Sequence, residues 1–148
     1  MFCKRMIVMV GVIALVVACD DDSSSPEAEV YTANLTGAAE RPDPNNSTAT
    51  GNASFTVNAN RTITYNLAVT GMTPTAQHIH GPADANTAAG IIVNLAIGTN
   101  QTLTPASFTG TVSYDSLLVL LRAGNLTYVN VHSVAFPPGE IRGNLVRQ

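Results

Sequence analysis

The sequence predicts an all-β domain, either an antiparallel β-sandwich or a partly closed barrel of about eight short strands with one short helix. Three observations carry this. From Val30 onward the dominant hydrophobic period is two, as in strands with one buried face. An asparagine-rich reversal, Asn58-Ala-Asn-Arg61, separates two clearly alternating runs. Only one segment carries leucines at helical spacing.

Taken in chain order, a first strand falls at Tyr31 to Leu35. The hairpin comes next. Ala53, Phe55 and Val57 alternate with Ser54 and Thr56, and Ile63, Tyr65, Leu67 and Val69 alternate with Thr62, Thr64, Asn66 and Ala68. Asparagine tolerates the left-handed backbone of a tight reversal, which suits the turn between these runs. Further strands are expected at Ala76 to His80, Ile91 to Ala96, Ser107 to Val112, Tyr128 to Ser133 and Glu140 to Arg147. The helix is expected around Leu117, Leu118, Leu120 and Leu121, with Asp115 as its cap and Gly124 ending it after Arg122. Asp and Arg at those ends also suit the helix dipole.

The first 18 residues read as a signal peptide. Lys4 and Arg5 form a positive start, an apolar run extends from Met6 to Val17, and Ala18 precedes Cys19. That run is too short for a stable span, which needs about 20 residues. Val16-Val-Ala-Cys19 resembles the lipobox of bacterial lipoproteins, which implies a lipid on Cys19 and cleavage before it. Residues 19–29 hold Asp20 to Asp22 and no large apolar side chain, so they read as a flexible acidic tether. The expected location is the bacterial cell envelope, on the periplasmic side or at the cell surface.

Loss of residues 1–18 removes Cys3 as well, and with Cys19 lipidated no disulfide is available; residues 30–148 must be held by one packed core. Removing Lys4 and Arg5 leaves five arginines against ten acidic residues, a formal charge of −5. Nucleic acid is thereby excluded as a partner, since no basic stripe is present. The membrane, through Cys19, and a protein or other envelope component are the expected partners.

All three histidines lie in two motifs, Gln77-His78-Ile79-His80-Gly81 and Tyr128-Val-Asn130-Val-His132. Residues two apart on a strand share a face, so His78 and His80 project together. If Val129 and Val131 face the core, His132 lies on the outer face with Asn130 and Tyr128, and the same parity places His78 and His80 outside. Were the two strands neighbours, three imidazoles would converge on the outside of the domain. Such a set suits copper or zinc and leaves a coordination position open. Histidines near strand ends also serve simply to hydrogen-bond backbone, so spacing alone leaves both readings standing.

Glu140, Arg142 and Asn144 share a face of the last strand, with Ile141 and Leu145 directed inward. Glu140 and Arg142 read as a structural ion pair. In the metal reading Glu140 and Asn130 become outer partners, Glu140 orienting a ligand histidine. No Gly-x-Ser-x-Gly elbow, phosphate loop or close carboxylate pair is present in the folded part.

Leu35-Thr-Gly-Ala-Ala-Glu40-Arg-Pro42, Gly51-Asn-Ala-Ser-Phe-Thr-Val57, Thr64-Tyr-Asn-Leu67, Gln77-His-Ile-His-Gly81, Tyr128-Val-Asn-Val-His132 and Gly139-Glu-Ile-Arg-Gly143 together resemble the CHRD domain first described in chordin. The resemblance runs from about Val30 to Val146. It implies an extracellular all-β domain and fixes no biochemical activity. Asn60-Arg61 replaces a glycine-containing turn that is usual in the family, and Asn144 replaces a frequent glutamine. The His-x-His strand also resembles that of copper/zinc superoxide dismutase. Three histidines are too few for that enzyme's bridged site, so dismutase activity is not expected. The expectation is a noncatalytic binding module with a copper or zinc site; a metal-free structural or interaction domain is the alternative, and a redox metalloenzyme the third.

Overall fold

The computed structural model describes residues 27–98, 101–106, 108, 110–124 and 126–148. The expected signal peptide, Cys19 and Asp20 to Asp22 lie outside the described residues. Among the described residues nine strands form one antiparallel sheet: β1 (Glu29–Thr36), β2 (Thr50–Val57), β3 (Ile63–Thr70), β4 (Ala76–His80), β5 (Ile91–Leu95), β6 (Gln101–Leu103), β7 (Tyr128–His132), β8 (Ile141–Asn144) and β9 (Val146–Arg147). A 3-10 turn (Gly37–Ala39) follows β1, and one helix, α1 (Tyr114–Arg122), precedes β7.

The strand order is β5-β4-β7-β8-β1-β2-β3-β6, with β9 beside β1. This sheet curls into a half-barrel, the all-β form with one helix that the sequence predicts. A side chain of β3, next to one end of the strand order, reaches the segment just beyond β5 at the other end. Tyr65 on β3 accepts a hydrogen bond from the Ala96 amide at 2.9 Å, just beyond β5, and Gln77 of β4 donates to the Ala96 carbonyl. Inside the curl, Tyr31, Leu35, Phe55, Ile63, Tyr65, Ile79, Val93, Val129, Val131, Ile141 and Leu145 form one core with Tyr114, Leu117, Leu118 and Leu121 of the helix. These are the inward positions of the period-two pattern, with the helical leucines filling the concave side.

Two expectations of secondary structure are corrected. Of the strand expected at Ser107 to Val112, the described residues show a single bridge, between Gly110 and Val93, while Gln101–Leu103 supplies β6. Phe108 and Val112 still pack on the core. Their backbone meets the edge of β5 only briefly, Thr111 donating to the Ile92 carbonyl, so apolar spacing there reflects packing without a full ladder.

The second correction concerns the helix cap. Ser113 has extended backbone, and its hydroxyl accepts from the Ser116 amide at 3.1 Å. Asp115 lies within the first turn, where it suits the dipole and pairs with Arg61. A cap must precede the helical backbone to reach the free amides, and Asp115 sits already inside it.

Outward residues of β4, β7 and β8 were expected at the surface. Instead they are covered by two returning segments. Asn45 donates to the carbonyls of Gly139 and Glu140, and Ser47 to the Glu140 carboxylate. From the other side, the Asp84 carbonyl accepts from Arg142, and the Ala89 carbonyl meets the His80 ring. The outer face here is a second, polar interior in which Arg142 is 0% exposed. Among the described residues no helix is long and apolar enough to cross a membrane.

Candidate metal centre

β4 and β7 are antiparallel neighbours, with His78 opposite Asn130, His80 opposite Tyr128, and Ala76 opposite His132. His132 is therefore diagonal to His78 on the same face. Adjacency, which the sequence left open, brings the three rings together: each offers a nitrogen, and these nitrogens lie within 4.8 Å of one another. His78 Nδ1 and His132 Nε2 are 2.9 Å apart.

Hydrogen bonding sets the ring states. His80 Nδ1 lies 2.9 Å from the Ala89 carbonyl, and His132 Nδ1 lies 2.9 Å from the Pro137 carbonyl. A carbonyl only accepts, so each Nδ1 carries the proton and each Nε2 presents a lone pair. His78 Nδ1 then donates to His132 Nε2. His80 Nε2 is buried and has no partner.

Charge points the same way. Burial, with the neighbouring His132 and His80, pushes the His78 imidazole down to about 4. Burial also lowers His80. Both rings are thus neutral near pH 7, the form that binds a metal ion. A carbonyl on the far nitrogen of a ligand histidine is the usual outer support of such sites, and His80 and His132 already have it.

Beside the histidines, Tyr128 stacks on His80 with ring centroids 4.9 Å apart and planes 10° apart. Arg142 Cζ lies 3.5 Å over the Tyr128 ring. Its guanidinium is shifted down by burial, and its Nη2 donates to the Asp84 carbonyl at 2.7 Å. Asn130 Nδ2 donates to Glu40 Oε2 at 2.9 Å. Burial raises the Glu40 carboxyl to about 7. Glu40 Oε1, Asn130 Oδ1, and Arg142 Nε and Nη1 join His80 Nε2 as the buried side-chain polar atoms without partners among the described residues. All five belong to this one cluster.

His78, His80 and His132 are thus brought together, and Asn130 lies directly across from His78. Glu140 does not take the role expected of it. Its carboxylate accepts from Ser47 at 2.6 Å, and the histidines are oriented by backbone carbonyls. Nor does Glu140 pair with Arg142, which turns to the Asp84 carbonyl and Tyr128. Glu40 was given no role by sequence reasoning, because it lies on a loop whose arrival over β7 has no periodic signal. The support from Ala89 and Pro137 comes through main-chain oxygens, which any residue type supplies.

A family model for the CHRD domain matches residues 31–145. No curated protein matches the chain, and no solved structure does.

Proposed function

Since the chain belongs to the CHRD domain family, whose members are extracellular, we propose that it is a noncatalytic extracytoplasmic binding module holding copper or zinc through His78, His80 and His132. In this reading Cys19 carries the lipid and tethers the module to the bacterial envelope. The supporting observation is the convergence of three imidazole nitrogens within 4.8 Å, with the His80 and His132 far nitrogens already held and His80 Nε2 buried without a partner. An imidazole–metal bond is about 2.0–2.1 Å, so nitrogens around one tetrahedral ion are about 3.3 Å apart. Ring rotation must close that difference on binding. On binding, the His78–His132 hydrogen bond would give way to two bonds to the ion, with the His78 proton passing from Nδ1 to Nε2 through solvent. With no thiolate in the set, nitrogen-seeking divalent ions are favoured.

One observation favours a metal-free alternative: His78 and His132 already satisfy each other at 2.9 Å, and the three rings would then only lock β4 to β7. Equilibrium dialysis of residues 27–148 against Cu(II) and Zn(II) separates the two. The metal reading predicts about one ion per chain, a rise in melting temperature on loading, and loss of both in His80→Ala. No uptake, or uptake unchanged by that substitution, leaves the structural reading in its place.

A further inference from the structure

We propose that Glu40 is a positioning residue for the histidine site: through Asn130 and Gly139 it fixes the turn whose Pro137 carbonyl aims His132. The chain of contacts is short. Asn130 Nδ2 donates to Glu40 Oε2 at 2.9 Å. Gly139 rests on that pair so closely that a Cβ there would lie 2.6 Å from Asn130 Nδ2 and 2.9 Å from Glu40 Oε2. Its φ of 146° is also one that side-chain-bearing residues rarely adopt. Two residues earlier, the Pro137 carbonyl meets His132 Nδ1 at 2.9 Å.

The turn is closed on itself, since the Gly139 amide donates to the Phe136 carbonyl at 3.1 Å and the Phe136 amide to Ser133 Oγ at 3.2 Å. Displacing Gly139 therefore moves Pro137 with it. Glu40 and Asn45 approach as one unit, because the amides of both donate to the Gly37 carbonyl at 3.1 Å. Asn45 in turn donates to the Gly139 carbonyl at 3.3 Å. One loop thus grips Gly139 by two side chains.

A stability role alone accounts poorly for Glu40. It is 4% exposed, its Oε1 lacks a partner, and no arginine forms an ion pair with it among the described residues. A buried carboxyl kept on such terms costs stability. As the post under Gly139 it sets a carbonyl, and that carbonyl sets the His132 tautomer and keeps Nε2 unprotonated, its lone pair shared with His78 until a ligand takes it. The effect on metal binding rests on the function proposed above; the effect on the His132 ring does not.

The test uses residues 27–148 in wild-type form and as Glu40→Ala and Glu40→Gln. Gln keeps an oxygen for Asn130 at the same reach, whereas Ala removes the post. Nitrogen-15 NMR of the metal-free protein reads the His132 ring. Wild type and Glu40→Gln are expected to show Nδ1 protonated and Nε2 bare, and Glu40→Ala a mixture of the two tautomers. Competitive titration with Cu(II) is expected to show affinity weakened about 10- to 100-fold in Glu40→Ala and retained in Glu40→Gln. Should Glu40→Ala not fold, Glu40→Asp, one methylene shorter, replaces it in both measurements. An unchanged His132 ring in the folded Ala or Asp variant, or equal impairment in the Gln variant, overturns the proposal. If wild type takes up no metal, the proposed function fails while the ring measurement still decides the role of Glu40.

Discussion

At His78 and Glu40 burial acts in opposite directions, pushing the imidazole down to about 4 and the carboxyl up to about 7. For His78 the unfolded chain, with its ordinary value of 6.5, takes the proton first, so stability is intact above 6.5 and is lost as pH falls toward 4. For Glu40 the folded chain takes the proton first. Its contribution is present below the ordinary 4.5 and lost as pH rises through 7. Glutamine mimics the protonated acid, so metal-free Glu40→Gln is expected to melt above wild type at pH 8 and level with it near pH 5. Calorimetry at the two pH values checks this, and a difference independent of pH counts against it. At this scale the sequence disclosed the three histidines through their parity. It could not disclose Glu40, because the cost and use of that carboxyl come from a loop packed over β7.

Among the elements, α1 fills the core and β4 carries two of the three site histidines. Ser113 caps α1 from outside its helical backbone, and Ser113→Ala strands the Ser116 amide at a cost of about 0.5–2 kcal/mol. The melting temperature is expected to fall by roughly 2–8 °C. Asp115→Ala is expected to move it much less, since the Asp115 side chain is 74% exposed and exposed ion pairs contribute little. Equal losses in the two variants would return the capping role to Asp115. The hydrophobic spacing located α1 through Leu117, Leu118 and Leu121, whereas its first turn depended on which hydroxyl lay in extended backbone. On β4, alternation placed His78 and His80 on one face. Opposite them, the placement of β7 was a matter of pairing between distant segments, on which local periodicity is silent.

For the whole molecule, the curl of the sheet is bridged by one side chain, from β3 to the segment beyond β5. Tyr65→Phe keeps the stack on Phe55 but removes the hydroxyl that accepts from the Ala96 amide. A loss of about 0.5–1.5 kcal/mol is expected, with faster hydrogen exchange at Ala96. Unchanged exchange there would show that the ends hold without Tyr65. His78 heads a cross-strand row that runs through Asn130 and Arg142 to Thr36 over β4, β7, β8 and β1, with His80 and His132 on the rows beside it. Glu29, where the proposed tether joins the barrel, is at the opposite end of β1, about 23 Å away along the strand. From the sequence alone came the all-β class, the strand faces, the single helix and the candidacy of His78, His80 and His132. Each follows from local backbone geometry, which repeats every two or 3.6 residues whatever lies beyond. The tertiary structure alone decided that β4 and β7 are neighbours, that one sheet curls instead of two stacking, and that loops carrying Glu40, Asn45 and Asp84 bury the outer face. Those outcomes depend on contacts between residues far apart in the chain, whose free energy leaves no periodic trace in the sequence.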